Sequence, residues 1–351
     1  MADSPSSRVA GPAEPFVVAS PETAREAGQL SLARQLLKPQ TLLSFAVSFG
    51  IILFVFIRQD IPFARVWQNI RSANLLLLAL GFAAYYATFY VRMLRWRQVL
   101  CNAVFSRDLE HTIPSHPRLT RIIVLSWFAN SILPAKLGDG YRAYLLKRAS
   151  GISFYKTMGT ILAERIADVG VLFSLLLASA LLAFRQHFPP HFGTLVGFGA
   201  SLAVLSLSAL FLFRFLSPYL VKVLPISVRP HYSRLEHGLL LAFSQRLWEI
   251  VLLTALVWLL ESARFGLVAA SLGQSLNVWL VVFVALTASL LTTVPFTPAG
   301  LGVVEGAVVA ALMLVIDDRS VATSIALLDR VVTYWALIIV GSLLYMFTRD
   351  Y

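Results

Sequence analysis

The feature that most constrains the fold is a run of 40 residues, 265–304, that contains no Asp, Glu, Lys or Arg. A helix needs only about 20 apolar residues to cross a bilayer, so this run is too long for one straight span. The rest of the chain is similar, because 58% of its 351 residues are hydrophobic and only 13% are charged. Soluble domains have about 45–50% apolar and about 25% charged residues. The sequence therefore predicts an all-α polytopic membrane protein.

The charge balance gives a second constraint. The net charge of +11 comes from 29 Lys+Arg against 18 Asp+Glu. In a membrane protein such an excess is typical of cytoplasmic loops facing anionic lipid, and we expect no nucleic-acid partner. A single cysteine, Cys101, excludes an intramolecular disulfide framework and a cysteine-cluster metal site. No Walker A, H-E-x-x-H or G-x-S-x-G pattern occurs, so we predict no cofactor and no metal.

Apolar segments and loop charges predict six full spans and two re-entrant hairpins. Residues 1–38 have the composition of a disordered cytoplasmic tail, and residues 39–348 form the predicted membrane domain. The predicted spans are residues 41–57, 74–91, 158–184, 192–213, 247–272 and 321–348. Residues 58–73 are predicted to be a polar connection. The positive-inside rule then places both termini in the cytoplasm, with the hairpins entering from opposite faces.

Each predicted hairpin belongs to a pattern that occurs twice. Pro134, Gly138 and the dipeptide of Glu164 and Arg165 correspond to Pro298, Gly302 and the dipeptide of Asp329 and Arg330, with intervals from glycine to arginine of 27 and 28 positions. Such paired Pro/Gly-broken segments are the best sequence pointer to a transporter's binding site, although two short matches can also arise by chance. We predict an inverted-topology repeat with halves at about residues 119–215 and 247–348.

The breaks themselves supply candidate hinges and caps. The predicted hinges are Pro134, Gly138, Gly140, Pro295, Pro298, Gly300 and Gly302. We expect Asp139 to cap the helix that carries Arg142, and the helix N-terminus with Lys136 and Arg142 would suit a phosphate. Glu305 lies in the first turn after Gly302, where a carboxylate suits the helix dipole. Capping alone is the alternative role for both acids.

Charges on the long helices are the second group of candidates. Glu164 and Asp168 share a helical face at i,i+4 spacing, and Arg165 is an i,i+3 neighbour of Asp168. Intramembrane charges cost about 2.5–3.5 kcal/mol each, so they mark functional sites by default. A structural ion-pair network is the alternative, and such a network can also act as a gate. The remaining charges receive simpler interpretations: Arg92 and Arg95 as lipid-phosphate contacts at the membrane boundary, and Glu261 and Arg264 as snorkelling side chains.

Four motifs resemble the lysylphosphatidylglycerol synthase transmembrane-region family, which includes the flippase-like domain of the bacterial multiple peptide resistance factor. They are NSILPAKLGDGYR (130–142), AERIAD (163–168), PFTPAGLGVVEG (295–306) and LLDR (327–330). The resemblance covers roughly residues 40–347 and implies a domain with re-entrant helices that moves lipids between leaflets of a bacterial or archaeal cytoplasmic membrane. Asp139 replaces the more common Glu, and Asp329 also departs from the family pattern. The resemblance therefore does not specify which lipid headgroup is bound.

These observations together predict a lipid translocase and not an enzyme. The headgroup of a phospholipid or lipid-linked substrate would pass between the hairpins, and no synthase domain is expected after residue 348. The predicted contacts are Asn130, Lys136, Asp139, Arg142, Glu164, Arg165, Asp168, Glu305, Asp329 and Arg330. Two alternatives remain: a membrane-embedded transferase with Glu164, Asp168 or Glu305 as base, and a non-transporting partner of a lipid synthase. Family members are fused to or neighbour glycosyltransferases, which makes such enzymes candidate partners besides membrane lipids, and a homodimer stays open.

Overall fold

A computed structural model describes residues 62–104, 113–133, 137–184, 219–292 and 300–347, with isolated positions elsewhere. The helices described from end to end are α1 (Phe63–Arg71), α2 (Leu75–Ala103), α3 (His116–Ile132), α4 (Leu137–Ser150), α5 (Phe154–Ala183), α6 (Arg229–Leu241), α7 (Leu247–Ser271), α8 (Val278–Leu291), α9 (Val303–Leu312), α10 (Arg319–Arg330) and α11 (Ala336–Phe347). A π-helical turn, Val331–Trp335, joins the last two. Every regular element in these ranges is helical, which confirms the all-α class.

Four of the predicted spans are confirmed as long apolar helices. Within the described residues, α2, α5, α7 and the continuous segment Arg319–Phe347 are long and apolar enough to cross a membrane. The predicted spans 41–57 and 192–213 lie outside the described residues, apart from isolated positions, and so does the tail 1–38. Helix α2 continues about three turns beyond the predicted end at Val91, because Arg92 and Arg95 are buried inside the helix packing. The interpretation of these two arginines as lipid-phosphate contacts was wrong.

The two predicted breaks are present, one between α3 and α4 and the other between α8 and α9. Gly300 and Gly302 lie at the second break with φ angles of 71° and 85°, a region that favours glycine. Gly138 and Gly140, in contrast, lie within α4 and are not hinges. Gly138 has a different role, since a Cβ there would clash with the Ser126 carbonyl oxygen and the Asn130 side chain. Pro134, Pro295 and Pro298 lie outside the described residues.

Helices α2 and α7 pack antiparallel against each other at the centre of the molecule. The Asn74 N–H donates to the Ser271 carbonyl at 2.7 Å, at one end of the contact. At the other end, Asn102 Nδ2 donates to the carbonyls of Ala242 and Gln245, each at 2.8 Å. Residue numbers therefore rise along α2 while they fall along α7. Each helix precedes one of the two breaks.

The broken helix pairs exchange packing partners between the two halves. Phe128 of α3 packs against Gly341 of α11, and the Tyr334 hydroxyl lies 3.5 Å from the Ser131 carbonyl. In the other half, Phe283 of α8 packs edge-on against Phe184 at the end of α5, with ring centroids 5.4 Å apart. In each half, the helix before the break therefore packs on a long helix of the other half: α3 on α11, and α8 on α5. Membrane re-entry and inverted topology remain predictions.

Residues 58–73 do not form the polar connection that was predicted, because they contain α1. Its apolar side chains Phe63, Val66, Trp67 and Ile70 recur at i, i+3, i+4 and i+7, the spacing of one helical face. Asn69 Nδ2 donates to the hydroxyls of Ser320 and Ser324 at 3.4 and 3.3 Å, which fixes α1 on α10. Within α1, Arg65, Gln68, Asn69 and Arg71 lie between or directly after these apolar residues, which made the segment read as polar.

Candidate functional site

A continuous chain of ion pairs lies beside the first break. Its six members alternate in charge, in the order Arg142, Glu164, Arg95, Asp168, Arg165 and Asp139. Glu164 occupies one oxygen with Arg142 Nη1 at 2.7 Å and the other with Arg95 Nε at 3.1 Å. Arg95 also binds Asp168, which lies one turn along α5 from Glu164. The shared helical face predicted for the two acids is therefore confirmed, and Arg95 is their common partner.

Asp139 ends this chain and is bound by three donors. Arg165 donates from Nε and Nη2 to the two carboxylate oxygens at 3.2 and 3.0 Å. Asn130 Nδ2 donates to one of the same oxygens at 3.1 Å. The prediction that Asp139 is an N-cap was wrong, because α4 already begins at Leu137 and Asp139 lies in its first turn. We refer to Asp139 with Arg165 as the first-half pair.

The second break carries an equivalent arrangement. Glu305 accepts the Gly302 N–H at 2.7 Å and Arg330 Nε at 2.8 Å, one on each carboxylate oxygen. The prediction that Glu305 suits the start of α9 is therefore confirmed. We refer to Glu305 with Arg330 as the second-half pair. Asp329, the neighbour of Arg330, is bound instead by Arg264 Nη1.

The two halves match in how each acid–arginine dipeptide is bound. The arginines, Arg165 and Arg330, pair with an acid in the first turn of the helix after the break. The acids, Glu164 and Asp329, pair with an arginine on the helix that precedes the broken pair, Arg95 on α2 and Arg264 on α7. The sequence correspondence between the dipeptides thus extends to their partners in space.

A further group of ion pairs lies between α2 and α7. Arg92 Nη2 pairs with Glu261 at 3.2 Å, and Glu261 also pairs with Arg264 Nε at 3.2 Å. The Arg92 guanidinium lies 4.3 Å from the ring centre of Trp127, close enough for a cation–π contact. Arg95 also donates to the Thr254 hydroxyl at 3.0 Å. The interpretation of Glu261 and Arg264 as snorkelling side chains was wrong, since both are buried and paired.

The network is balanced in charge among the described residues. It contains six arginines and six acids, namely Arg92, Arg95, Arg142, Arg165, Arg264 and Arg330 with Asp139, Glu164, Asp168, Glu261, Glu305 and Asp329. Burying a charge is expensive unless it is paired, so this balance is what an apolar interior requires. Each arginine of the network therefore has at least one acid as its partner.

Three arginine donors of the network nevertheless have no hydrogen-bond partner among the described residues. They are Nε and Nη2 of Arg142 and Nη2 of Arg330, all buried. The Arg142 guanidinium stacks over Trp96 at 3.7 Å from the ring centre, which stabilises the cation but leaves these N–H groups unused. The Asn130 side-chain oxygen is also buried and without a partner there. Buried polar groups are usually satisfied, so these orphans indicate where a ligand or water would bind.

A cavity of about 250 Å³ lies beside the second-half pair. Helix α1 contributes one wall through Phe63, Val66, Trp67 and Ile70. The other lining residues are Leu301, Glu305, Leu327, Arg330, Val331 and Trp335. The wall is therefore apolar apart from the one ion pair.

The structure groups six of the ten predicted contact residues beside the first break, namely Asn130, Asp139, Arg142, Glu164, Arg165 and Asp168. It places Glu305, Asp329 and Arg330 at the second break, and the tenth residue, Lys136, lies outside the described residues. Sequence reasoning did not assign Arg92, Arg95, Glu261 or Arg264 to the site. A signal for Arg95 was present in the sequence, because two acids on one face of a buried helix require a cation that the motif does not contain. For Glu261 and Arg264 the signal was their i,i+3 spacing, which identifies an ion pair but not its burial.

Comparison with known proteins identifies the family. The family model described as the lysylphosphatidylglycerol synthase TM region matches residues 41–341. A UPF0104 membrane protein of Methanocaldococcus jannaschii is 31% identical over 218 residues, which cover 62% of this chain and 93% of the relative. A UPF0104 membrane protein of Methanothermobacter thermautotrophicus is 24% identical over 322 residues, covering 85% of this chain and 91% of the relative. The resemblance of the four motifs is confirmed: the chain is a membrane protein that belongs to the lysylphosphatidylglycerol synthase transmembrane-region family.

Proposed function

We propose that this protein is a lipid translocase that moves a phosphate-bearing headgroup through a polar path between two re-entrant hairpins. The observation that carries the proposal is the duplication of one acid–arginine pair. In each half, an acid in the first turn after a helix break holds an arginine of the following long helix. Charges at such breaks are typical of substrate and coupling sites in transporters built from repeats.

The packing supports an inverted repeat. The helices that precede the two broken pairs, α2 and α7, run antiparallel, and the halves exchange contacts through α3 with α11 and α8 with α5. Two units of the same element order that meet antiparallel are related by an axis in the membrane plane. The proposal places both termini in the cytoplasm and the hairpins on opposite faces.

The ion pairs suit a gate better than a permanent binding site. In the paired state each arginine is neutralised by an acid, so a phosphate must compete with Asp139 for Arg165, or with Glu305 for Arg330. The side chain of Arg165 is 30% exposed, whereas that of Arg330 is 10% exposed. The first-half pair is thus the more open of the two in this conformation. Alternating access would exchange which pair is open.

The direct test is leaflet exchange in liposomes. Purified protein is reconstituted, and the exchange of labelled phosphatidylglycerol, phosphatidylcholine and a polyprenyl phosphate is followed. We expect faster exchange than in empty liposomes for at least one phosphate-bearing lipid, and loss of that exchange in Arg165→Gln and Arg330→Gln. Arg97→Gln is the control, since Arg97 also lies on a membrane helix but takes part in none of the ion pairs described above. The absence of acceleration for every lipid would refute the proposal.

A non-transporting partner of a lipid synthase or glycosyltransferase is the second candidate, and the charge balance of the network favours it. A network in which every acid has an arginine is sufficient to hold the halves together, and it needs no substrate to complete it. In that case Arg165→Gln and Arg330→Gln variants that still fold would support synthase activity as well as the unaltered chain does. A translocase would lose function in the same variants.

A transferase finds less support in the geometry. Both oxygens of Glu164 and both of Glu305 already accept hydrogen bonds. Asp168 has one oxygen bound by Arg95 and the other shared between Arg95 and Arg165. A general base needs an oxygen within reach of the substrate proton. In this conformation every oxygen of these three carboxylates already has an arginine or a backbone N–H as its partner.

A further inference from the structure

We infer that the cavity between α1 and the second-half pair is a lateral binding site for a phosphate-bearing lipid, with its chain along α1 and its phosphate at Arg330. The inference rests on the proposed translocase function and specifies where the lipid enters. It assigns a role to α1, which lies before the repeated part of the chain. Three features of the cavity carry it.

The first feature is an apolar wall that opens at the molecular surface. Phe63 and Trp67 of α1 line one side of the cavity, and Trp335 lies on the opposite wall. Their exposed fractions are 68%, 54% and 44%. In a membrane protein such side chains meet acyl chains, and tryptophan is enriched at the depth of the headgroups. An acyl or isoprenoid chain can therefore reach the cavity from the bilayer without crossing water.

The second feature is an arginine with unused capacity. Arg330 lines the cavity, is 8% exposed and donates from Nε to Glu305. Its Nη2 finds no hydrogen-bond partner among the described residues. A guanidinium can bind a phosphate through two parallel N–H groups, so a phosphate that displaces Glu305 would take both Nε and the unused Nη2.

The third feature is the π-helical turn that follows Arg330. Tyr85 of α2 donates to the Thr333 carbonyl at 2.8 Å, and the Tyr334 side chain is buried on the α3 side. The same turn directs Val331 and Trp335, four positions apart, to the cavity. Such turns are frequent at functional sites because they widen a helix locally. Here the turn places two apolar side chains directly beside the arginine.

Binding at Arg330 is coupled to the second-half pair. When a phosphate takes Arg330, the Glu305 carboxylate loses its cation but keeps the Gly302 N–H at the start of α9. The ligand thereby opens the contact between the second break and α10. The cavity volume of about 250 Å³ lies below the 300–1,000 Å³ of typical small-molecule pockets, so it holds the phosphate and the adjoining part of one chain rather than a whole lipid.

Photolabelling tests this site. The full chain is reconstituted in phosphatidylcholine liposomes with a small fraction of phosphatidylglycerol that carries a diazirine in its acyl chain. After irradiation the labelled peptides are mapped. We expect labels concentrated on α1 and on Val331–Trp335 relative to other lipid-facing helices. Inorganic phosphate at high concentration should leave the labelling unchanged, because it lacks the chain; a marked reduction would identify an ion site and overturn the inference.

Two kinds of variant complete the test. Leu327→Trp or Ile70→Trp fills the cavity without touching the charges, and Leu343→Trp on the lipid-exposed face of α11 is the control. The double variant Glu305→Gln with Arg330→Gln removes the cation while keeping the charge balance. We expect labelling at the cavity to fall about tenfold in the filled and neutral variants, and to persist in Leu343→Trp. Equal labelling in all of them would overturn the inference.

Leaflet exchange measured on the same liposomes separates this inference from the proposed function. Exchange without cavity labelling would remove the site and leave the translocase. Cavity labelling without exchange would keep the site and remove the translocase.

Discussion

Arg95 and Asp168 form a two-pronged ion pair between α2 and α5, with Nη1 2.5 Å from Oδ1 and Nη2 3.3 Å from Oδ2. Neither side chain is more than 8% exposed. Arg95 also binds Glu164 and the Thr254 hydroxyl of α7, so one guanidinium joins three helices. One side chain therefore contributes to the contacts of α2 with both α5 and α7.

We predict that Arg95→Gln strongly destabilises the protein. The substitution leaves Asp168 and Glu164 buried with less positive charge around them, and breaking a buried pair typically costs about 3–5 kcal/mol. The midpoint of thermal unfolding in detergent measures the effect, with Arg97→Gln on the same helix as the control. An Arg95→Gln variant as stable as Arg97→Gln would mean that the pair contributes little.

We predict opposite effects for alanine at two neighbouring glycines of α4. Gly138→Ala places a methyl group against the Ser126 carbonyl and the Asn130 side chain, and overpacking of this kind costs about 1–3 kcal/mol. Gly140→Ala meets nothing within 4 Å, and removing a helical glycine typically gains about 0.5–1 kcal/mol. The midpoints of thermal unfolding of the two variants, each compared with the unaltered chain, test this prediction. If Gly140→Ala were the more damaging, its predicted role as a hinge would return.

The sequence could predict features that depend on neighbouring residues, but not contacts between residues that are far apart along the chain. Long apolar runs identify spans, and glycine with proline identifies breaks, because both signals are local. The partners of Glu164 and Asp329 were not predictable in the same way, since Arg95 lies 69 positions from Glu164 and Arg264 lies 65 positions from Asp329. The packing of α2 on α5 and of α7 on α10 brings those arginines to the acids.

Position along the chain also misled the interpretation of individual charges. Arg92 and Arg95 follow an apolar run, where arginine usually contacts lipid phosphate, yet the helix continues and buries both. The local pattern is the same for an arginine that leaves the membrane and for one that meets a buried acid. The distinction lies in Glu261, Glu164 and Asp168, which are distant in sequence.

A close crossing of α5 and α6 gives a third prediction. A Cβ on Gly159 would clash with the Leu235 carbonyl, and one on Gly238 would clash with the Lys156 carbonyl. Backbone atoms cannot rotate away, so Gly159→Ala must separate the helices, at a cost of about 1–3 kcal/mol. Gly170→Ala, in open space on the same helix, is the control and should be close to neutral. Similar unfolding midpoints for the two variants would contradict the observed crossing.

The first-half pair gives the prediction that best separates a gate from a structural contact. Arg165→Gln alone leaves Asp139 with only Asn130 as a donor among its described contacts. Because the pair is partly exposed, we expect a loss between the values for surface and buried pairs, about 1–3 kcal/mol. The double variant Asp139→Asn with Arg165→Gln removes both charges, so most of that stability should return.

Leaflet exchange of the same variants then tests the function. If Arg165 takes the phosphate from Asp139 during transport, the double variant folds but does not transport, since its glutamine offers no cation. If the pair only fastens α4 to α5, exchange recovers together with stability. For a structural contact, the double variant therefore recovers both its unfolding midpoint and its exchange rate. For a gate, it recovers the midpoint but not the exchange rate.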